Sequence, residues 1–291
     1  MSTAVHPGRA QNENMDSTPD KNFIIPKRAS YIQQGTGSPV ILIHGMAASY
    51  HNWDDLSPLL VENGYSFYAL DLLGHGDSPK PASRAYRMEW LFEHFAGWMD
   101  SLHLTETPIL IGHSLGGYLA LEYARRFTER ARGLVLVNPL YSLSQLPPLL
   151  RRTYRRPHLS GFIIEKTPPW MFRLIVDMSS VAMGNGTRAL HSLPERVRAQ
   201  TALDYGRTSP GAYNIINHSM DLDEEHLASI PHPALVIWGD RDQTLAPSSF
   251  PKLVNQMPRA TGRVLRAGHV PHQSNTEEFN QIVIAFLKEL S

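Results

Sequence analysis

Short apolar runs, bounded by glycine, proline, aspartate or histidine, recur along the chain. Five of them are 40–43 (VILI), 67–70 (FYAL), 109–111 (ILI), 134–137 (LVLV) and 234–238 (ALVIW). Runs this short and this apolar are typical of strands that are buried on both faces. Stretches with helical periodicity separate several of them. This alternation predicts an α/β fold, with a mostly parallel sheet and helices on both of its faces.

Two stretches outside these runs have a clear apolar face. Residues 87–102 carry apolar side chains three and four positions apart, which predicts a helix packed on the sheet. Near the end of the chain, Ser274 and Glu277 have the spacing of a capping box and precede a second periodic stretch. This pattern predicts a C-terminal helix docked on the core.

The alternation is interrupted over 140–230. This stretch contains two proline pairs, the arginine-rich segment 151–158 and the apolar segment 168–178. Because the strand pattern resumes at Ala234, we interpret 140–230 as a helical cap inserted into the core. The arginine-rich segment is expected to be a solvated face, with contact to a substrate or a membrane as the alternative.

The resulting domain prediction has four parts. A disordered polar tail covers 1–22, the core is formed by 23–139 and 231–291, and the cap lies between its two parts. With 42% hydrophobic residues in 291, the chain is long enough for one large core.

Charge and cysteine content exclude several classes of function. Lys plus Arg and Asp plus Glu both number 27, and no long basic block is present, so a nucleic-acid partner is not expected. The absence of cysteine excludes disulfides, thiolate metal sites and cysteine nucleophiles. Without a signal-like or membrane-spanning apolar run, we expect a soluble, cytoplasmic protein with no stable membrane insertion. The sequence leaves the oligomeric state open.

The segment GHSLGG at 112–117 lies between a predicted strand and a predicted helix. A serine in such an elbow has a strained backbone, and its hydroxyl projects beyond the sheet edge at a helix N-terminus. Gly112 and Gly116 provide the clearance that this turn requires. Ser114 is therefore a candidate nucleophile, although the motif alone is weak evidence.

A serine nucleophile needs a histidine base and usually a carboxylate that orients it. His269 and His272 follow one predicted strand, and Asp240 and Asp242 follow another. Loops at the carboxyl ends of parallel strands emerge at one edge of a sheet, so these groups should converge on Ser114. The chain order Ser, Asp, His is that of the α/β hydrolases.

Acyl transfer also requires donors for an oxyanion. We expect one to be the backbone N–H of Leu115, directly after the serine. The other is expected to be the N–H of Met46, in the compact turn that follows the first apolar run.

Taken together, ILIHG, DLLGHGDS, GHSLGG, WGDRD and AGHVPH resemble the α/β-hydrolase superfamily over 40–290. The resemblance implies that Asp242 is the acid and His269 the base, with Asp240 a loop residue and His272 steadying the loop. It also implies structural roles for His44, His75 and His113, and it assigns the insertion to the family's cap domain.

The expected activity is hydrolysis of a carboxylic ester, thioester or lactone by a Ser-Asp-His triad. Carbon–carbon bond hydrolysis, perhydrolysis, acyl transfer and a non-catalytic ligand-binding role are the alternatives. Epoxide hydrolases and haloalkane dehalogenases of this fold have aspartate at the position of Ser114, which disfavours those activities. Carbon–carbon hydrolases often have asparagine at the position of His113.

The expected substrate is a small molecule with a mainly apolar acyl group, and no metal or organic cofactor is expected. Side chains expected to contact it adjoin the catalytic elements or lie in the apolar part of the cap: Met46, Trp170, Met171, Phe172 and Val270.

Overall fold

The computed structural model describes residues 24–83, 85–148, 151, 165–183, 193–215 and 220–290. Its strands are β1 (Tyr31–Gln34), β2 (Ser38–Ile43), β3 (Tyr65–Leu70), β4 (Ile109–His113), β5 (Gly133–Val137), β6 (Ala234–Gly239) and β7 (Ala260–Leu265). They form one sheet in the order β1-β3-β2-β4-β5-β6-β7. Only β1 is antiparallel to its neighbour among these strands. The predicted mostly parallel sheet is confirmed.

Helices connect the strands and cover the sheet. The α-helices are α1 (Ser57–Glu62), α2 (Met88–Ser101), α3 (Leu115–Arg126), α4 (Pro169–Met183), α5 (Glu195–Arg207), α6 (Glu224–Ala228), α7 (Phe250–Gln256), α8 (Pro271–Ser274) and α9 (Thr276–Glu289). Short 3₁₀ turns occupy Tyr50–Trp53, Thr128–Arg130, Leu143–Gln145, Pro210–Asn214 and Pro247–Ser249.

The apolar runs form strands because both faces of the central sheet are covered. Along β2, Ile41 and Ile43 contribute to the hydrophobic cluster on one face, and Val40 and Leu42 contribute to the cluster on the other. All four side chains are fully buried. Because side chains on both faces of the strand are buried, successive positions are apolar and the run is continuous.

Two details of the elements differ from the prediction. The C-terminal helix α9 begins at Thr276 after Asn275, so the predicted capping box of Ser274 and Glu277 is wrong. Ser274 belongs to the preceding helix α8, where its hydroxyl donates to the carbonyl of Val270 at 3.1 Å. Strand β1 was not predicted, because its residues (YIQQ) are mostly exposed and form no apolar run.

Helices α4, α5 and α6 lie between β5 and β6, within the segment predicted to be the cap. Helix α4 packs against α5, with Phe172 and Val176 buried. The predicted tail and most of the arginine-rich segment lie outside the described residues. In the described part of the chain, no helix is both long and apolar enough to cross a membrane.

Polar contacts join α5 to the core. Arg196 pairs with Asp55, and Arg207 pairs with Asp77. Between these ion pairs, the carboxylate of Asp204 accepts a hydrogen bond from the Ser49 hydroxyl at 3.0 Å. Helix α5 is therefore attached along its length to the loops that follow β2 and β3.

Candidate active site

Ser114 occupies the turn between β4 and α3. Its backbone has φ 50° and ψ −110°, in the left-handed half of conformational space that a residue with a side chain rarely adopts. Hydrogen bonds hold the turn: its N–H donates to the Val137 carbonyl at 2.9 Å, and its carbonyl accepts from the N–H of Leu140 at 3.0 Å. The expected strained elbow is present, and the surrounding strands fix it.

Two glycines make this turn possible. A Cβ on Gly112 would overlap the carbonyl oxygen of Gly116. A Cβ on Gly116 would overlap the carbonyl oxygen of Ile43 on the neighbouring strand β2. Because backbone atoms cannot move aside as a flexible side chain can, both positions require glycine.

The candidate acid and base form a hydrogen-bonded pair beside this elbow. Asp242 follows β6 and His269 follows β7, and Nδ1 of His269 lies 2.8 Å from Oδ2 of Asp242. The Asp242 side chain is completely buried, and that of His269 is 11% exposed. A carboxylate at Nδ1 favours the tautomer with the proton on that atom, which leaves Nε2 free to accept a proton.

Further hydrogen bonds fix the Asp242 carboxylate. Oδ1 accepts from the N–H groups of Thr244 at 2.7 Å and Leu245 at 3.0 Å, and Oδ2 also accepts from Asn138 Nδ2 at 2.7 Å. Burial acts to raise the pKa of Asp242, but His269 and these donors outweigh it, so the pKa lies below its ordinary value. Asp242 is therefore ionised at neutral pH.

Asp240 has a different environment. Its side chain is 47% exposed, and Oδ1 accepts one hydrogen bond, from the N–H of Ala267 at 3.2 Å. It stabilises the loop that follows β7 and makes no described contact with His269. Of the two aspartates, Asp242 is the one that hydrogen-bonds the candidate base His269 in the described structure.

The competing histidine, His272, is buried behind the loop. Its ring lies 5.0 Å from that of Trp53 and 4.6 Å from that of His113, measured between centroids. Burial and the nearby His269 lower the pKa of His272 to about 3. It is therefore a neutral packing residue. His113 supports the same loop, because its Nε2–H donates to the carbonyl oxygen of His269 at 3.0 Å.

His44 and His75 are also fully buried. Burial lowers the pKa of His44 to about 4 and that of His75 to about 3. Nε2 of His44 accepts a hydrogen bond from the N–H of Leu72 at 2.9 Å, and Nδ1 of His75 donates to the Leu73 carbonyl at 3.0 Å. These contacts are those of neutral rings that stabilise loops.

The two expected oxyanion donors lie on either side of Ser114's turn, one at the start of α3 and the other in the loop after β2. Leu115 is the first residue of α3, so its N–H has no partner within the helix. The turn that carries Met46 lies against the elbow: a Cβ on Gly45 would be 3.3 Å from Cβ of Ser114. Both residues therefore adjoin the serine, as their proposed role requires.

Ser114 and His269 line a cavity of about 430 Å³. Met46 and Val270 line it as well, together with Leu140, Leu146 and Leu245. Trp170, Met171 and Phe172 are not among the lining residues, contrary to expectation. Trp170 is 66% exposed on the outer side of α4, and Phe172 is buried where α4 packs toward α5.

One side of the cavity is supplied by α5 and is partly polar. Gln200, Thr201 and Asp204 line it, together with His51 and Asn52 from the loop after β2. These residues and Asn138 were not predicted from the sequence. Within the described ranges, no group of three or more histidine or acidic side chains is arranged to hold a metal ion.

The sequence pattern of the family described as alpha/beta hydrolase fold matches residues 38–276. The chain therefore belongs to the α/β-hydrolase fold family. A thermophilic esterase from Thermogutta terrifontis has a similar structure, with a TM-score of 0.74 and 21% identity over 90% of this chain and 93% of that one. This likeness supports the fold.

Two curated proteins illustrate the range of relatives. A 2-hydroxy-6-oxononadienedioate/2-hydroxy-6-oxononatrienedioate hydrolase from Burkholderia vietnamiensis is 26% identical over 98% of this chain and 99% of that protein. Bifunctional epoxide hydrolase 2 from Rattus norvegicus is 24% identical over 90% of this chain. The match covers 53% of the rat protein, so this chain spans about half of that relative's length.

Proposed function

We propose that the protein is a serine hydrolase that cleaves a carboxylic ester, thioester or lactone through an acyl-enzyme on Ser114. The observation that carries this proposal is a histidine that is hydrogen-bonded to the buried Asp242 and lines one cavity with a serine on a strained elbow. A ligand-binding protein has no need of a buried carboxylate that holds a histidine at the wall of its cavity.

In the proposed mechanism, Ser114 Oγ attacks the acyl carbon while Nε2 of His269 takes its proton. Asp242 holds the imidazole by Nδ1 and stabilises the imidazolium. The N–H groups of Met46 and Leu115 bind the oxygen that becomes negative. His269 then protonates the leaving group, and the acyl-enzyme remains. Water, deprotonated by the same histidine, attacks the acyl-enzyme and releases the acid and Ser114.

The cavity supports a small substrate with an apolar part near the serine. Met46, Leu140 and Val270 provide aliphatic surface there. A cavity of about 430 Å³ is within the ordinary range for small-molecule sites.

Carbon–carbon bond hydrolysis is the second candidate. The relative from Burkholderia vietnamiensis favours it, because the match covers nearly the whole of both chains. His113, at the position where such enzymes often have asparagine, argues against it. Its imidazole borders the cavity, but its Nε2–H is already engaged with the His269 carbonyl.

The direct test is hydrolysis of a set of activated esters, p-nitrophenyl acetate, butyrate and octanoate, by the wild type, Ser114→Ala and His269→Ala. We expect each substitution to lower kcat by several orders of magnitude, with thermal unfolding close to that of the wild type. Near-normal turnover by either folded variant would refute the proposed mechanism. Turnover of a vinylogous diketone in preference to every ester would favour the second candidate.

A further inference from the structure

The carboxyl group of Asp204 lies in the wall of the cavity that contains Ser114 and His269. It projects from α5, and the residue is only 3% exposed. The Ser49 hydroxyl donates to Oδ2 at 3.0 Å, and Gln200 Nε2 donates to Oδ1 at 2.9 Å. Both donors are neutral. Since a carboxylate oxygen has two lone pairs, each oxygen retains capacity for another donor.

The other charged groups that line the cavity have partners of opposite sign. Arg196 pairs with Asp55, and the His51 ring lies 3.0 Å from Asp54. His269 is paired with Asp242, as described above. Asp204 differs from them, because no arginine or lysine in the described part of the chain forms an ion pair with it.

A buried carboxylate without a cation is unfavourable. Burial raises the pKa of Asp204 to about 6; the hydrogen bonds from Gln200 and Ser49 and the charge of nearby His51 act in the opposite direction, and Asp71 acts with burial. The group is thus ionised above neutral pH, at a cost to folding stability. Linking α5 to Ser49 does not require this charge, since an asparagine oxygen could accept the same hydrogen bond without it.

Asn52 also lines the cavity. Asn52 follows Ser49 in one turn, in which its N–H donates to the Ser49 carbonyl at 3.0 Å. Its side-chain oxygen is buried and accepts no hydrogen bond from the residues that the structure describes. Within the described residues, Asp204 therefore adds a charge without an arginine or lysine partner to this wall, and Asn52 adds an oxygen without a donor.

We propose that this end of the cavity is a subsite for a primary ammonium group, carried by the acyl or alcohol part of the substrate and bound by the Asp204 carboxylate. An ammonium group supplies three donors and the missing positive charge. The aliphatic surface near Ser114 would contact the chain between the ammonium and the ester. This assignment specifies the substrate of the proposed hydrolysis and, for that role, rests on it.

Binding can be measured without any reaction. Isothermal titration at pH 8 would compare n-alkylammonium ions, from propyl to octyl, with the alcohols of equal length, for the wild type and Asp204→Asn. We expect the wild type to bind the best-fitting ammonium on the order of tenfold more tightly than its alcohol. Asp204→Asn should lose that preference. Asp77→Asn is the matched control, because Asp77 pairs with Arg207 of the same helix outside the cavity, and it should keep the preference.

Either of two results would overturn the subsite. One is a wild type that binds no ammonium ion more tightly than the matching alcohol. The other is a folded Asp204→Asn protein that keeps the preference. The wild-type comparison decides the matter even if the variant fails to fold.

A kinetic comparison separates this proposal from the proposed function. Methyl esters of ω-amino acids would be compared with methyl alkanoates of equal length, using the ratio of their kcat/KM values. Ammonium binding without hydrolysis of any ester would retain the subsite and refute the hydrolase. Hydrolysis of both series with a ratio near one, and no ammonium binding, would retain the hydrolase and refute the subsite.

Discussion

Replacing Asp242 by asparagine tests whether the carboxylate sets the protonation state of His269. Asparagine has nearly the same shape but replaces one oxygen by an NH₂ group. The wild-type carboxylate accepts from four donors: two backbone N–H groups at Oδ1, and Asn138 and His269 at Oδ2. The amide can present an oxygen to only one of these pairs.

The two orientations of the introduced side-chain amide differ in free energy. With the NH₂ group toward Thr244 and Leu245, two buried backbone donors would lose their acceptor, at about 1–3 kcal/mol each. With the oxygen toward them, the NH₂ group faces His269. The ring then accepts at Nδ1 and carries its proton on Nε2, in the tautomer that cannot deprotonate Ser114. We expect the second orientation and a loss in kcat on the order of 10³ to 10⁴-fold, equivalent to about 4–5 kcal/mol.

The assay is kcat for the best activated ester found for the wild type, with the unfolding temperature of each variant as the folding control. Asp240→Asn is the matched substitution. Because Asp240 is half exposed and accepts only from Ala267, its kcat should stay within about threefold of wild type. A larger loss of kcat for Asp240→Asn than for Asp242→Asn would refute the assignment of Asp242 as the acid. A folded Asp242→Asn enzyme that keeps more than a tenth of the wild-type kcat would refute the tautomer argument.

Two further predictions concern stability. Gly112→Ala places a methyl group against the Gly116 carbonyl and should lower the free energy of unfolding by about 2 kcal/mol. Gly97→Ala, in open space on α2, should raise it by about 0.5–1 kcal/mol. Chemical denaturation measures both changes, and a Gly112→Ala protein as stable as the wild type would contradict the packing argument. Because the folded-state pKa of Asp204 is raised to about 6, the contribution of this group to wild-type stability falls as pH rises from about 4 to 6 and then levels off. Asp204→Asn should remove this pH-dependent contribution. The free energy of unfolding of the variant, relative to that of the wild type, should therefore increase by up to about 3 kcal/mol between pH 4 and 7. A difference between the two proteins that does not change with pH would contradict the raised pKa.

The sheet and the candidate triad were predictable because their signals are local. A strand segment covered on both faces must be apolar throughout, as β5 and residues 40–43 of β2 are. The elbow requires small residues at fixed positions around Ser114, so its motif is visible in the sequence. The loops after β6 and β7 bring Asp242 and His269 to the same edge, because parallel strands end together.

The cavity wall could not be predicted in the same way. Helix α4 is apolar over most of its circumference, so the sequence does not show which of its faces is inward. The packing of α4 on α5 decides this, and it leaves Trp170 outside while burying Phe172. Asn138 and Asp204 were missed for a related reason: each acts through a partner about 100 or more positions away, Asp242 and Ser49 respectively.

The most direct test of the central claim is reaction with a fluorophosphonate, followed by mass spectrometry of the labelled peptide. Such a probe reacts with an activated serine hydroxyl and requires no knowledge of the substrate. We predict stoichiometric labelling at Ser114, none in Ser114→Ala, and a strongly reduced rate in His269→Ala. Labelling elsewhere, or equal labelling of wild type and Ser114→Ala, would contradict the assignment of Ser114 as the nucleophile. So would a folded wild-type protein that reacts with neither this probe nor a smaller sulfonyl fluoride.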